Sequence, residues 1–280
     1  MKKTKSKLPL AISILVVLCL IIITSIFSLA IVLNNDNKEI IDEIENSEPK
    51  NNYDFSKLQG TERKTYEDDN YVSMFGIDVS VHQDDIDWQK VKDSGVEFAF
   101  LRIGYRGATE GHLNADKKFV NNLAGAKEND LMVGVYFFSQ ALNIAEAVEE
   151  ANYVLQQLNR QELDLPVVYD YEEPYISDAT SRIHDLDKEE RTNNAIAFME
   201  EIKKNGYEVM LYANTEWLNS HYEMDRLIDY DVWFAQYDTE YPSYEGPFKI
   251  WQYSNTGNIE GIATSVDLNI MFMAKNEQYE

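Results

Sequence analysis

From Met74 onward, short apolar runs alternate with amphipathic stretches, and this alternation limits the fold more than any other feature of the chain. The runs MFGIDVS (74–80), VEFAFLRI (96–103), LMVGVYFF (131–138), LPVVYDY (165–171), YEVMLYA (207–213), DVWFAQY (231–237), FKIWQYS (248–254) and SVDLNIM (265–271) read as strands. Between the early ones lie the helical patterns IDWQKVKDSG, ADKKFVNNLAGAKEND, NIAEAVEEANYVLQQLNR and KEERTNNAIAFMEEIKKNG. Gly95 and Gly206 stand where a helix would stop. Strands that are apolar on nearly every residue are covered on both faces, and strand–helix alternation of this kind pairs them in parallel. Eight such strands predict an α/β fold, a closed β/α barrel. The segments between the last three strands are too short for full helices, so the barrel is expected to be irregular there.

The N-terminal part follows other rules. Leu8 to Leu33 carries no charge and is long enough to cross a bilayer as a helix. Lys2, Lys3, Lys5 and Lys7 precede it, and Asp36, Glu39, Asp42 and Glu43 follow it. The positive-inside rule then makes 1–7 a cytoplasmic tail and 8–33 a single-pass anchor in the cell membrane, with the rest of the chain outside. Ser28-Leu29-Ala30 offers a cleavage site for the alternative, a secreted protein, but the run is long for a signal peptide. Residues 34–73 are acidic and poor in apolar residues, the composition of a flexible tether, and 74–280 is the expected barrel domain. Cys19, the only cysteine, lies in the apolar run, so the exported part has neither disulfides nor a Cys-based metal site. A net charge of −24 excludes the basic footprint that a nucleic-acid partner requires.

Chemistry enters with LPVVYDYEEP, where Asp170 and Glu172 close an apolar strand. Residues two apart on a strand share a face, with bases roughly 6.5–7 Å apart. Asp78 lies in GIDVS on the first strand and Asp267 in SVDLN on the last. The C-terminal strand ends carry the chemistry of β/α barrels. Any one such acid is more often a cap or a solvated side chain, but four at strand ends point to one cleft. Crowded carboxylates raise one another's pKa, which leaves one protonated to act as an acid while another stabilises positive charge. Cleavage of a glycosidic bond needs that pair.

Aromatic residues on the same strands suit sugar binding, with Tyr136, Tyr212 and Trp251 assigned to the cleft and Trp88, Phe98 and Phe100 to the core. The four histidines, His82, His112, His184 and His221, have no metal-ligand spacing. No GxSxG elbow, GxGxxG or phosphate-binding loop occurs, and no cofactor is implied.

The blocks GIDVSVHQDDIDWQKVKDSGVEFAFLRIGYRG, VGVYFFSQA, LPVVYDYEE, MLYANTEWL, VWFAQY and FKIWQYSNTGNIEGIATSVDLN, between about Phe75 and Phe272, resemble the family 25 glycoside hydrolases, lysozymes of the muramidase type. The resemblance implies an irregular TIM-like barrel of five β/α units followed by three strands. It implies hydrolysis of the β-1,4 bond between N-acetylmuramic acid and N-acetylglucosamine in peptidoglycan. Glu172 would be the general acid/base and Asp170 its partner, stabilising charge or orienting the substrate's 2-acetamido group. Asp78 and Asp267 would complete the cleft. Gln236, in VWFAQY, and Tyr171, between the two acids, are added as substrate contacts. The chain departs from the family at Tyr171, where a small aliphatic is more usual, and at Phe137, where many members carry His. Both departures are expected to tune substrate preference. The expected partners are glycan strands, the membrane through residues 8–33, and a transenvelope machine that needs a local gap in the wall. The alternatives are a non-catalytic glycan-binding scaffold and a barrel glycosidase acting on chitin-like polymers.

Overall fold

The structure, a computed structural model, describes residues 50–177 and 179–276. The expected cytoplasmic tail, the expected anchor at 8–33 and the first part of the expected tether lie outside the described residues. Among the described residues no helix is long and apolar enough to cross a membrane. Residues from Asn51 onward form one compact unit.

Among the described residues nine strands follow one another: β1 (Tyr71–Val79), β2 (Phe98–Arg106), β3 (Leu113–Ala115), β4 (Met132–Phe138), β5 (Val167–Asp170), β6 (Val209–Asn214), β7 (Asp231–Ala235), β8 (Ile250–Gly257) and β9 (Val266–Ala274). Helix α1 (Trp88–Asp93) precedes β2, α2 (Phe119–Glu128) precedes β4, α3 (Ile144–Leu158) precedes β5 and α4 (Lys188–Lys204) precedes β6. Local sequence starts and stops these helices. The Asn143 side chain accepts from the Glu146 N–H at the head of α3, and Asn159 ends it in the left-handed region. Asp187 and Glu190 form a reciprocal capping box on α4. Gly95 and Gly206 both lie at positive φ just past their helices. The fifth unit, between β6 and β7, has only a π turn at Trp217–His221 and a 3-10 turn at Met224–Arg226.

The strands from β1 through β2, β4, β5, β6, β7 and β8 pair in parallel. Strand β9 then runs antiparallel to both β8 and β1 and closes an eight-stranded barrel, with β3 appended to β2. Alternation decides what each strand puts inside. Phe98, Phe100, Val168, Met210, Trp233, Ile250 and Met271 fill the interior. Their neighbours Ala99, Leu101, Val167, Leu211, Phe234, Trp251 and Ile270 belong to the outer core layer. Two glycines make room inside. A Cβ on Gly76 would lie 2.3 Å from the Phe98 ring, and one on Gly134 would lie 2.3 Å from the Phe100 ring. As sequence analysis expected, Phe98, Phe100 and Trp88 are core residues.

The expected domain start at Met74 is too late. The acidic segment before it carries well-spaced aromatic residues that pack on the barrel. Tyr53 stacks on Phe272 with ring centroids 4.1 Å apart, and its hydroxyl donates to the Phe248 carbonyl at 2.8 Å. Tyr66 is buried and meets Phe272 edge-on at 5.2 Å. Asn51 donates its backbone N–H to Glu245 at 3.0 Å. Net acidity misleads here because only one face of the segment touches the barrel.

Candidate active site

At the C-terminal ends of the parallel strands and the N-terminal end of the antiparallel β9, Asp78, Arg102, Tyr136, Phe138, Asp170, Glu172, Tyr212, Trp233, Gln252 and Asp267 line a cleft of about 190 Å³. Along each strand the inward residues change from apolar to polar towards this end: Phe98 and Phe100 give way to Arg102, Val168 to Asp170, Ile250 to Gln252, and Met271 to Asn269 and Asp267. The period-2 rule carries one set of positions from floor to cleft. Alternation puts Ile103 in the outer layer and Arg102 inward, opposite Tyr136, and the β2–β4 register shifts only after Arg102.

All four predicted acids meet in this cleft. Asp78 stands directly opposite Asp267 across the β1–β9 pair. Asp78 Oδ2 accepts from Gln252 Nε2 at 2.7 Å and from Asn269 Nδ2 at 2.8 Å. The Gln252 amide is oriented by two tyrosines, since Tyr212 and Tyr237 donate their hydroxyls to its Oε1 at 2.9 and 2.6 Å. Its Nε2 also reaches Asp267 Oδ2 at 3.3 Å. Asp170 ends β5, and its Oδ1 is buried with no hydrogen-bond partner among the described residues. Among the described residues Arg102 is the only cation lining the cleft, and Asp116 holds its Nε at 2.8 Å.

Burial and like charge set the protonation states. Burial is the larger cause at every acid. It pushes Asp78 up to about 6, against the donors Asn269 and Gln252 that stabilise its carboxylate. Burial and then the charge of Asp78 push Glu172 up to about 7. Asp267 rises to about 9 through burial, the charge of Asp78 and its hydrogen bond to that carboxyl. Asp170 is raised by burial and by the charges of Glu172 and Asp78, with Arg102 opposing. Near neutral pH, Asp78 is the ionised member, Asp267 keeps its proton, and Glu172 is poised between the two states. A carboxyl held protonated beside an ionised one can donate to a leaving oxygen.

The other predicted contacts divide. Tyr136 and Tyr212 line the cleft. Trp251 does not: it is fully buried in the outer layer, donating Nε1–H to the Gln236 carbonyl at 2.9 Å, because its neighbour Gln252 takes the inward position. Gln236 lies outside the cleft lining, and its amide is committed to Ser243 through two bonds of 2.9 and 2.7 Å. Tyr171 points away from its two acidic neighbours, stacks on Tyr169 and donates to the Ala141 carbonyl at 2.8 Å. Phe137 is likewise buried in the outer layer. Arg102, Asn269 and Gln252 are not among the expected site residues, yet inward alternation from Phe100, Asp267 and Ile250 marks them.

The sequence profile of the glycosyl hydrolases family 25 matches residues 77–262, about two thirds of the chain. The chain belongs to this family. Among curated proteins, the family 25 chain is 30% identical over 205 residues to the uncharacterized protein YegX of Escherichia coli O157:H7, covering 71% of this chain and 69% of that one. It is 26% identical to the autolytic lysozyme of Clostridium acetobutylicum over 70% of its own length, and spans 55% of that protein. Among solved structures, a family 25 glycosyl hydrolase from Bacillus anthracis superposes with a TM-score of 0.62 at 25% identity, covering 78% of this chain and 97% of that one.

Proposed function

We propose that this family 25 chain is a peptidoglycan muramidase that hydrolyses the β-1,4 bond between N-acetylmuramic acid and N-acetylglucosamine. The observation that carries the reading is the meeting of four acids at the barrel mouth, with Glu172 pushed up to about 7 while Asp78 remains ionised at neutral pH. Family membership and the lysozyme relative support it. In this reading protonated Glu172 donates to the leaving glycosidic oxygen and then, as a carboxylate, takes a proton from the attacking water. Asp170 offers the unpartnered Oδ1 to the substrate, where it orients the 2-acetamido group. Asp78, fixed by Gln252 and Asn269, supplies the negative field for the oxocarbenium-like centre. Tyr136 and Tyr212 offer rings and hydroxyls to the sugars.

The test is digestion of purified peptidoglycan by the 51–280 fragment, with mass spectrometry of the products. Muramic acid at the new reducing ends supports the reading. An intact wall, under conditions where a control muramidase clears it, overturns it. Products only from N-acetylglucosamine polymers would make the chain a chitin-type glycosidase.

The finer proposal is that Leu8–Leu33 anchors the enzyme in the cell membrane with its barrel on the wall side. The uncharged run and the four preceding lysines support it. Carbonate extraction of membranes from cells expressing the full chain tests this, and release into the soluble fraction would sink it.

A further inference from the structure

Beside the four acids, the fold buries a second polar cluster that catalysis as described does not use. Arg106 on β2 and Glu150 on α3 are both buried and pair at 2.6 Å through Nε and Oε1. Arg106 also donates to the Gly111 carbonyl at 2.9 Å and to Glu149 at 2.8 Å. Glu150 in turn grips the turn after β4. The Ser139 hydroxyl donates to its Oε2, and the Gln140 N–H donates to its Oε1 at 3.3 Å.

From that turn, three hydrogen bonds reach three successive residues of the acid-bearing segment. The Ser139 N–H donates to the Asp170 carbonyl at 2.7 Å, and Ala141 accepts from the Tyr171 hydroxyl at 2.8 Å. Gln140 Nε2 donates to the Glu172 carbonyl at 2.8 Å. The third bond matters most. Asp170 is the last residue of β5 in the strand ladder, paired with Tyr212, so no strand pairing holds Glu172. A carbonyl oxygen only accepts, so the amide must turn its nitrogen to Glu172. Among the described residues its Oε1 is thereby left buried without a partner. Gln140 is fully buried, and an unpaired buried acceptor is a cost that leucine or methionine of similar volume would avoid.

We propose that Gln140 is a positioning residue for Glu172, with the Arg106–Glu150 pair holding Gln140 in place. This rests on the reading of Glu172 as the proton donor. Without the amide, the Glu172 main chain relaxes towards solvent. Its carboxyl then loses both its aim and part of the desolvation that keeps it protonated.

The experiment compares Gln140→Met and Glu172→Gln with the wild-type 51–280 fragment, on a soluble peptidoglycan oligomer across pH 5–9. Gln140→Met is expected to lower kcat by ~10–100-fold, the scale of a displaced catalytic group, with KM within about two-fold. The alkaline limb of its pH–rate profile is expected to move to lower pH. Thermal melts verify folding, and Gln140→Leu carries the test if the methionine variant does not fold. Wild-type kcat and an unmoved limb overturn the proposal. A fall in kcat with an unmoved limb and a lowered Tm assigns Gln140 a structural role only, which also overturns it. Full activity of Glu172→Gln removes the reading of Glu172 itself, a failure distinct from inactive Glu172→Gln beside unaffected Gln140→Met.

Discussion

Asp78 and Asp267 stand directly opposite each other on antiparallel strands, and at neutral pH they hold one proton between them. Two like charges so placed would repel, so the arrangement lasts only while Asp267 stays protonated. The Asp78 charge also helps raise Glu172. Asp78→Asn should therefore lower the pKa of Glu172, detectable by carboxyl 13C NMR titration. An unchanged titration midpoint would break the link between the two.

Glu172→Gln should lose activity by ~10²–10⁴-fold, the usual contribution of a general acid. The same change removes a carboxyl whose ionised form the fold disfavours. The variant should melt several degrees above wild type at pH 8 and nearly with it at pH 4.5, measured by differential scanning fluorimetry. A variant less stable than wild type at pH 8 would contradict the electrostatic account.

The pH dependence of stability has a definite sign. Asp78, Glu172 and Asp267 have folded values of about 6, 7 and 9, all raised from the ordinary range. Native protein then binds more protons than unfolded chain between about pH 4 and those values. Their contribution is fully present below about pH 4 and is lost progressively as pH rises through the folded values to about 9. Urea midpoints should fall from about pH 4 to about pH 9, most steeply below about pH 6 where all these groups contribute, and kcat/KM should decline above about pH 7 as Glu172 loses its proton.

Truncation to 74–280 should weaken the barrel. It removes Tyr53 and Tyr66 from the Phe272 cluster and the first β1–β9 pairs, Tyr71 with Ala274 to Ser73 with Phe272. The loss of that aromatic burial is about 3–5 kcal/mol, or a Tm lower by ~6–15 °C than that of 51–280. Equal melting temperatures would mean that the segment adds nothing to the fold.

Gly134→Ala should destabilise by ~1–3 kcal/mol, because the added methyl overlaps the Phe100 ring. Pairing it with Phe100→Leu should recover part of the loss. If the two penalties simply add, the clash is not the cause.

Much of this was legible in the sequence, and the gaps have physical reasons. The apolar runs marked eight barrel strands because each is buried on both faces. The two-residue spacing places Asp170 and Glu172 together, and the same rule turns Tyr171 outward, so the expected sugar contact at Tyr171 conflicts with the alternation of its own strand. Trp251 was misplaced for a different reason. Which face of β8 looks inward depends on its pairing with β9, where Gln252 sits opposite Asn269, and a sequence does not display that register. Residues 51–73 read as a tether because composition averages over both faces, whereas Tyr53, Phe55 and Tyr66 act from one face through partners some two hundred residues away.

The aromatic clasp at Tyr53 has a mechanical consequence. The backbone of Asn51 is tied to Glu245, and Tyr53 is pinned to Phe248 and Phe272. A pull applied through Lys50 loads these bonds one after another before any tension reaches the hydrogen-bonded ladder of β1. The clasp is a fuse in series with the barrel. Stretching the chain at that end peels a few side chains and leaves Asp78, further along the same strand, at its working distance from the other acids.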